Sequence, residues 1–209
     1  MMQAMAGPTQ DFWQQRFELG QMPWDRGAPH PQLQVWLDAG LLRAGQRVLV
    51  PGCGSGHELL ALARQGLQVR GLDYTPAAVA LARQRLQEAA LKADVEQADV
   101  LHWQPPAQDR PDVVYEQTCL CALHPDHWQD YAAQLARWLP SGGCLLALFM
   151  QARRESAAQG LVEGPPYHCD INAMRALFPA GLWEWPAPPY AAQAHAQGWQ
   201  ELAVALRRR

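Results

Sequence analysis

The sequence predicts an α/β protein, a doubly wound and mostly parallel sheet with helices on both faces. Three observations carry this prediction. Strand-like and helical segments alternate with short connections, a pattern that builds parallel sheets with crossover helices. The strand-like segments RVLVP (47–51), VRGLDY (69–74), VEQADV (95–100), DVVYEQ (112–117) and CLLALFM (144–150) put apolar residues on both faces, as burial between two helical layers requires. A glycine-rich turn, GCGSG (52–56), joins the first of them to a helical stretch.

Helical segments lie between these strands. Residues 58–65 place Leu59, Leu60, Leu62 and Ala63 on one face. Pro76 stands at a first helical position behind Thr75 as N-cap, and strong helix formers run from 77 to 90. Residues 125–139 supply another helix, stopped by PSGG (140–143). The tail departs from this rhythm. GLWEWPAPPYAAQ (181–193) is aromatic and proline-rich, and WQELAVALR (199–207) reads as a final strand, so a hairpin at one sheet edge is expected, where proline is tolerated. Before the sheet, residues 1–46 hold Trp13, Trp24 and Trp36, a helix near 9–20 and the loop GQMPWDRGAPHP (20–31), with little core pattern of their own. Their expected role is to cover something. The chain is thus read as one domain over 1–209, a lid segment (1–46) on a core (47–209).

Composition narrows the function classes. A chain of 209 residues can bury a core without a partner, so a monomer is the default expectation. The net charge of −3 argues against nucleic acid as a partner, and the single basic cluster, Arg207–Arg209, reads as a solvated end. LLALFM (145–150) is too short to span a bilayer, and MMQAMAGPTQ lacks the regions of a signal peptide. No membrane role and a cytoplasmic location are expected. Five cysteines, at 53, 119, 121, 144 and 169, form no C-x-x-C pair. Cys119 and Cys121 with His124 and His127 can be drawn as a metal cluster. However, C-x-C is a strand-like alternation and no second ligand pair lies nearby, so no metal is expected.

A glycine turn between strand and helix lets backbone N–H groups meet a ligand. The spacing here is G-x-G-x-G, with His57 where the dinucleotide fingerprint has its third glycine. It suits a mononucleoside better than a pyrophosphate. Asp73 ends the second strand-like segment, placed to accept hydrogen bonds from both ribose hydroxyls. Asp99 ends the third, placed for the exocyclic amine of adenine, with Val100 against the ring. The plainer alternative is that both merely end strands and cap the next segment of chain. Two such acids at successive carboxyl ends beside the glycine loop favour the ligand.

With these residues in place, VLVPGCGSG, GLDYT, QADV and the LPSGG turn resemble class I S-adenosylmethionine-dependent methyltransferases. FWQQRFELGQMPWDRGAPHP, DVVYEQTCLCALHPDHW and GPPY (164–167) resemble, more narrowly, the thiopurine, thiol and halide methyltransferase family, and the likeness spans about residues 11–178. The resemblance implies a seven-stranded sheet with an antiparallel last strand, and S-adenosylmethionine as cofactor without a metal. It implies that Trp13 and Trp24 line the cofactor and that the loop residues Gly52, Cys53 and Gly54 hold it. In the same reading Asp73 with Tyr74 meets the ribose, Asp99 with Val100 the adenine, and Glu116 with Gln117 the methionine end. The glycines at 52, 54 and 56 would clear space for the amino-acid end and ribose. Gln117 stands where relatives often carry Arg or Tyr, and Phe17 where some carry Trp.

The same resemblance makes Tyr167 a residue at the transfer centre, its hydroxyl donating to an anion. Arg26, in WDRG, is placed to attract an anionic acceptor or the cofactor carboxylate. A halide, thiocyanate, hydrosulfide or thiolate arrives ionised and needs no general base, which agrees with the lack of an obvious His–carboxylate pair in the sequence. The expected partner is therefore a small soft methyl acceptor. The sequence leaves two other readings open: a cofactor-binding regulator without catalysis, and a nicotinamide-dependent oxidoreductase.

Overall fold

The computed structural model describes residues 7–195 and 197–209. The strands β1 (Arg47–Pro51), β2 (Gln68–Asp73), β3 (Asp94–Gln97), β4 (Val113–Gln117) and β5 (Cys144–Gln151) run parallel. Two short strands, β6 (Trp183–Glu184) and β7 (Ala191–Ala194), and the long β8 (Gln200–Arg208) complete one sheet in the order β3-β2-β1-β4-β5-β8-β6. β8 runs antiparallel along the whole of β5, from Cys144 opposite Arg207 to Gln151 opposite Gln200. β6 and β7 both pair with the outer side of β8. The edge counts two strands instead of one because Pro186, Pro188 and Pro189 fall between them, and proline donates nothing to a ladder.

The helices are α1 (Gln10–Glu18), α2 (Pro31–Asp38), α3 (His57–Arg64), α4 (Pro76–Glu88), α5 (Trp128–Trp138) and α6 (Ile171–Leu177). Alternation along the strands sorts their side chains into two cores. In β5, Leu145, Ala147 and Phe149 pack with α5 and α6, whereas Cys144, Leu146 and Leu148 pack with α2, α3 and α4. Each fully buried leucine among them contributes about 2 kcal/mol.

Several expectations change. β3 stops at Gln97, so Asp99 lies in the turn beyond it rather than at a strand end. The helix expected over 125–139 begins as a 3-10 turn, Pro125–His127, before α5 proper. Of the segment 1–46, residues 1–6 lie outside the described residues. The rest is more than a cover: Leu33 and Trp36 of α2 are buried in one core, with the Trp36 ring edge-on to Tyr115 at 5.6 Å. α2 is signalled by His30 before Pro31, whose Nδ1 accepts the Gln32 N–H. α6 is signalled by Asp170, which caps the N–H groups of Asn172 and Ala173.

Candidate active site

A cavity of about 930 Å³ opens at the carboxyl ends of β1, β2 and β4. Strand order reverses there, between β2 and β4 on either side of β1, which is where open α/β sheets take ligands. The glycine loop forms one wall, and its three glycines all have left-handed backbone: φ is +61° at Gly52, +52° at Gly54 and +83° at Gly56. Each makes room for something different. A Cβ on Gly52 would stand 3.0 Å from Cys119 Cβ, and one on Gly56 would stand 3.0 Å from Ala82 Cβ of α4. Gly54 faces Phe17 at an ordinary 3.7 Å. The third glycine therefore admits a helix, not a ligand, which corrects the expectation for Gly56. Cys53 lines the cavity between them, and burial holds its thiol well above the ordinary range.

Asp73 ties this loop to the start of α4. Its Oδ2 accepts the Gly54 N–H at 2.9 Å, and its Oδ1 accepts the Thr75 N–H and hydroxyl, each at 3.0 Å. Burial raises the carboxyl above its ordinary value, and these bonds offset only part of that. The Tyr74 N–H adds a fourth partner, so the carboxylate's acceptor sites are largely taken by the protein itself. Tyr74, Asp99 and Val100 continue the wall. The Asp99 carboxylate meets the Leu101 N–H at 2.9 Å and His102 Nδ1 at 2.8 Å.

At the end of β4, Gln117 lines the cavity and its Oε1 accepts the Tyr115 hydroxyl at 3.3 Å. Glu116 does not line it. As the neighbour of Gln117 in a strand it points to the opposite face, where its Oε1 accepts the Leu120 N–H at 2.6 Å. Burial pushes its carboxyl up to about 7 despite hydrogen bonds from Leu120 and Cys119, with Glu201 adding to the rise. Its place is that of a brace under the turn 118–121, not a contact to the cavity. Thr118, the next residue, holds a left-handed φ of +62° in the cavity wall. Such a conformation costs a non-glycine residue about 1–2 kcal/mol. Nothing in the sequence marks it.

The lid is aromatic. Trp13 and Trp24 meet edge to face at 5.2 Å, Phe17 meets Trp24 at 5.9 Å, and all three line the cavity. α1 is tied to the β2–α4 loop by Gln10 donating to the Tyr74 carbonyl at 2.6 Å and Gln14 accepting the Ala77 N–H at 3.1 Å. Further along, Asp25 meets His57 Nε2 at 3.0 Å and Arg85 at 4.0 Å. Burial tends to raise the Asp25 carboxyl. Hydrogen bonds from Ser55 and Gly27, with the charges of His57 and Arg85, more than offset this and hold it below the ordinary value.

A His–carboxylate pair not apparent from the sequence underlies the loop's end. His30 Nδ1 accepts a backbone N–H, so Nε2 carries the proton and donates to Glu201 Oε2 at 3.0 Å. Both side chains are 1% exposed. Arg26, which lines the cavity, reaches the same oxygen at 3.7 Å. Glu58 accepts the His30 N–H at 2.9 Å, and burial raises its carboxyl in spite of that bond. Glu201, just ahead of the apolar run of the last strand, carries no signal in the sequence.

The opposite wall comes from residues 121–127 and 164–167. The Tyr167 N–H donates to the Cys121 carbonyl at 2.7 Å, and the Tyr167 ring meets His124 edge-on at 5.3 Å. Burial raises the Tyr167 phenol, with Arg154 acting weakly the other way, so the hydroxyl keeps its proton for donation. Arg154 holds the turn by donating to the Glu163 and Pro166 carbonyls, each at 2.9 Å. All five cysteines are free and buried. Among the described residues no group of three or more His, Cys, Asp or Glu is placed to hold a metal ion. Among them, too, no helix is long and apolar enough to cross a membrane.

Sheet order, glycine loop and the acids beside it define a class I S-adenosylmethionine-dependent methyltransferase. The lining of the cavity agrees with that cofactor: left-handed glycine backbone at Gly52 and Gly54, the carboxyl of Asp73 beside them, and the tryptophans Trp13 and Trp24. The family model described as thiopurine S-methyltransferase matches residues 8–204, and the chain belongs to that family. It is 30% identical to a protein of Arabidopsis thaliana named probable thiol methyltransferase 2, over 81% of this chain and 73% of that one. It is also 30% identical to the thiopurine S-methyltransferase of Pseudomonas fluorescens, over 83% and 82% of the two chains. A structure solved in work on the conversion of a disulfide bond into a thioacetal group during echinomycin biosynthesis superposes with a TM-score of 0.75. It is 25% identical and covers 95% of this chain and 92% of its own.

Proposed function

We propose that the protein transfers the methyl group of S-adenosylmethionine to a small, soft sulfur nucleophile: a thiol, thiopurine, hydrosulfide or thiocyanate, with halide in the same class. The observation that carries this is the second wall. The cavity does not end at the glycine loop but continues to Tyr167, His124 and Arg26. Its volume, at the upper end of the usual range for small-molecule sites, has room for a cofactor and a small second molecule. The names of the relatives support sulfur as the accepting atom.

When bound, S-adenosylmethionine supplies an electrophilic methyl group on a sulfonium sulfur. Residues of this chain do the rest. Trp13 and Trp24 present ring faces toward a cation, an attraction of about 0.5–2 kcal/mol, and exclude water from the path of displacement. Gly52, Cys53 and Gly54 bring backbone against the ligand, while Asp73 with Tyr74 fixes the ribose and Asp99 with Val100 the adenine. Gln117 orients the methionine end. Arg26 draws an anionic acceptor in, and the Tyr167 hydroxyl donates to it, so that the nucleophile is aligned before it reacts. The same reading takes 1–209 as one domain acting as a cytoplasmic monomer. The test is methyl transfer from labelled S-adenosylmethionine to thiocyanate, iodide, hydrosulfide, thiophenol and a thiopurine, counting volatile and soluble products. Turnover is expected on at least one. A protein that binds the cofactor and methylates none of them is not the enzyme proposed.

A further inference from the structure

An aliphatic thiol, unlike thiocyanate or a halide, brings a proton that must leave before its sulfur can attack. The wall facing the lid holds one group suited to take it. His127 lines the cavity, its Nε2 is shielded from solvent, and that nitrogen has no hydrogen-bond partner. An imidazole nitrogen left unsatisfied in a cavity wall is a place for a ligand proton. Its position is rigid. The His127 N–H donates to the His124 carbonyl at 2.9 Å. The adjacent Trp128 ring N–H is shared between the Leu120 and Leu123 carbonyls at 2.9 and 3.0 Å, which pins the segment to α5.

The other basic groups around the cavity are already engaged. Asp73 and Asp99 accept protein N–H groups, and Asp25 accepts the Gly27 N–H at 2.7 Å beside His57. His57 Nε2 already has two partners, an Arg85 nitrogen at 2.8 Å and Asp25 Oδ1 at 3.0 Å. Nδ1 of His124 accepts the Asp126 N–H and Nδ1 of His195 that of Gln197, each at 3.3 Å. Glu58 Oε1 is held by the His30 N–H. Among the described cavity-lining residues, His127 Nε2 is the one shielded side-chain nitrogen or oxygen without a partner.

We propose that His127 Nε2 is the general base that ionises a thiol acceptor in this cavity. The inference rests on the methyl-transfer reading above and deepens it. The S–H bond breaks, its electron pair stays on sulfur and the proton passes to His127 Nε2. The thiolate then forms its S–CH₃ bond as the methyl leaves the sulfonium sulfur, which keeps the bonding pair. The imidazolium returns its proton to water after the products depart. An acceptor that arrives as an anion bypasses the first step, so the residue separates two classes of acceptor by chemistry rather than by size.

The experiment compares 2-mercaptoethanol, an aliphatic thiol that stays protonated near neutral pH, with thiocyanate in the parent protein and in His127→Gln. The variant should lose about 100-fold in kcat/KM for 2-mercaptoethanol, within the usual range for a general base, and less than about threefold for thiocyanate. A second readout needs no turnover. With S-adenosylhomocysteine bound, adding 2-mercaptoethanol should shift the ¹⁵N resonance of His127 Nε2 as that nitrogen accepts a hydrogen bond from the thiol, and adding thiocyanate should not. Equal losses on both acceptors, or an Nε2 resonance unmoved by the thiol, overturn the proposal. So does a thiol-specific loss that appears in His124→Gln instead. If circular dichroism shows that His127→Gln is misfolded, His127→Asn takes its place. Absence of turnover on either acceptor by the parent protein would sink the methyl-transfer reading, while the ¹⁵N result would still decide the role of His127.

Discussion

Around one cavity, the wall at the glycine loop and the wall of Arg26, His195 and Trp199 at the β7–β8 hairpin are held by different kinds of contact. The first is local: Asp73 bonds Thr75 two residues away and Gly54 nineteen residues away, within one strand–helix–strand unit. The second joins remote parts of the chain, His30 with Glu201 across 171 residues and Gln32 with Gln193 across 161. In the first wall, backbone conformation does most of the shaping, through glycines with positive φ. In the second, buried polar side chains do it, and each depends on a partner that must be folded into place. A site built this way should lose different properties when either wall is damaged.

The largest effect is expected under the hairpin. His30→Leu removes the hydrogen-bond donor from a carboxylate that is 1% exposed, leaving only the Arg26 contact at 3.7 Å. Breaking a buried pair from one side costs about 3–5 kcal/mol, read as a lower urea midpoint with an unchanged slope. A loss below about 1 kcal/mol, the scale of an exposed pair, would mean that this wall does not depend on its long-range pair.

Next comes the brace between the two walls. Folded protein keeps a proton on Glu116 up to about pH 7, whereas an unfolded glutamate releases it near 4.5. This raised carboxyl contributes stability that is complete below about 4.5 and is lost as pH rises through about 7. The swing is about 3 kcal/mol. Glu116→Gln should flatten that part of the stability profile, so that the variant gains on the parent between pH 5 and pH 8 in denaturant titrations. Parallel profiles would show that the turn 118–121 does not hold a buried acid.

The smallest effect belongs to the glycine loop. Gly52→Ala puts a Cβ into left-handed backbone, at about 1–2 kcal/mol, and 3.0 Å from Cys119 Cβ. S-adenosylhomocysteine affinity measured by calorimetry should fall about tenfold, with the urea midpoint changed less than in His30→Leu. The reverse ranking would erase the distinction between the walls.

That distinction also explains what could be read from the sequence. Alternating periodicities gave the sheet and the crossover helices, because those patterns are local and repeat, while the antiparallel last strand came with the family resemblance. That Gly52, Asp73 and Asp99 stand at the cavity's edge was legible for the same reason, each falling at a strand end or in the turn just after one. Glu116 was misplaced because adjacency to Gln117 in sequence is opposition in a strand. Gly56 was misread because its neighbour, Ala82, arrives from a different helix. Glu201 and the positive φ of Thr118 left no pattern, since one depends on contacts far along the chain and the other on tertiary strain.

The pairing of His30 with Glu201 also sets an order of events during synthesis. A ribosome adding about 5–20 residues per second needs roughly 10–30 s to make the intervening chain. Through that interval His30 has no carboxylate to meet, however early α2 forms. Contacts so distant in sequence also slow the folding search itself. The lid's last anchor is therefore set only when β8 inserts beside β5. Until then a nascent chain carries its glycine loop under a cover held at α1 and α2 but not yet at His30.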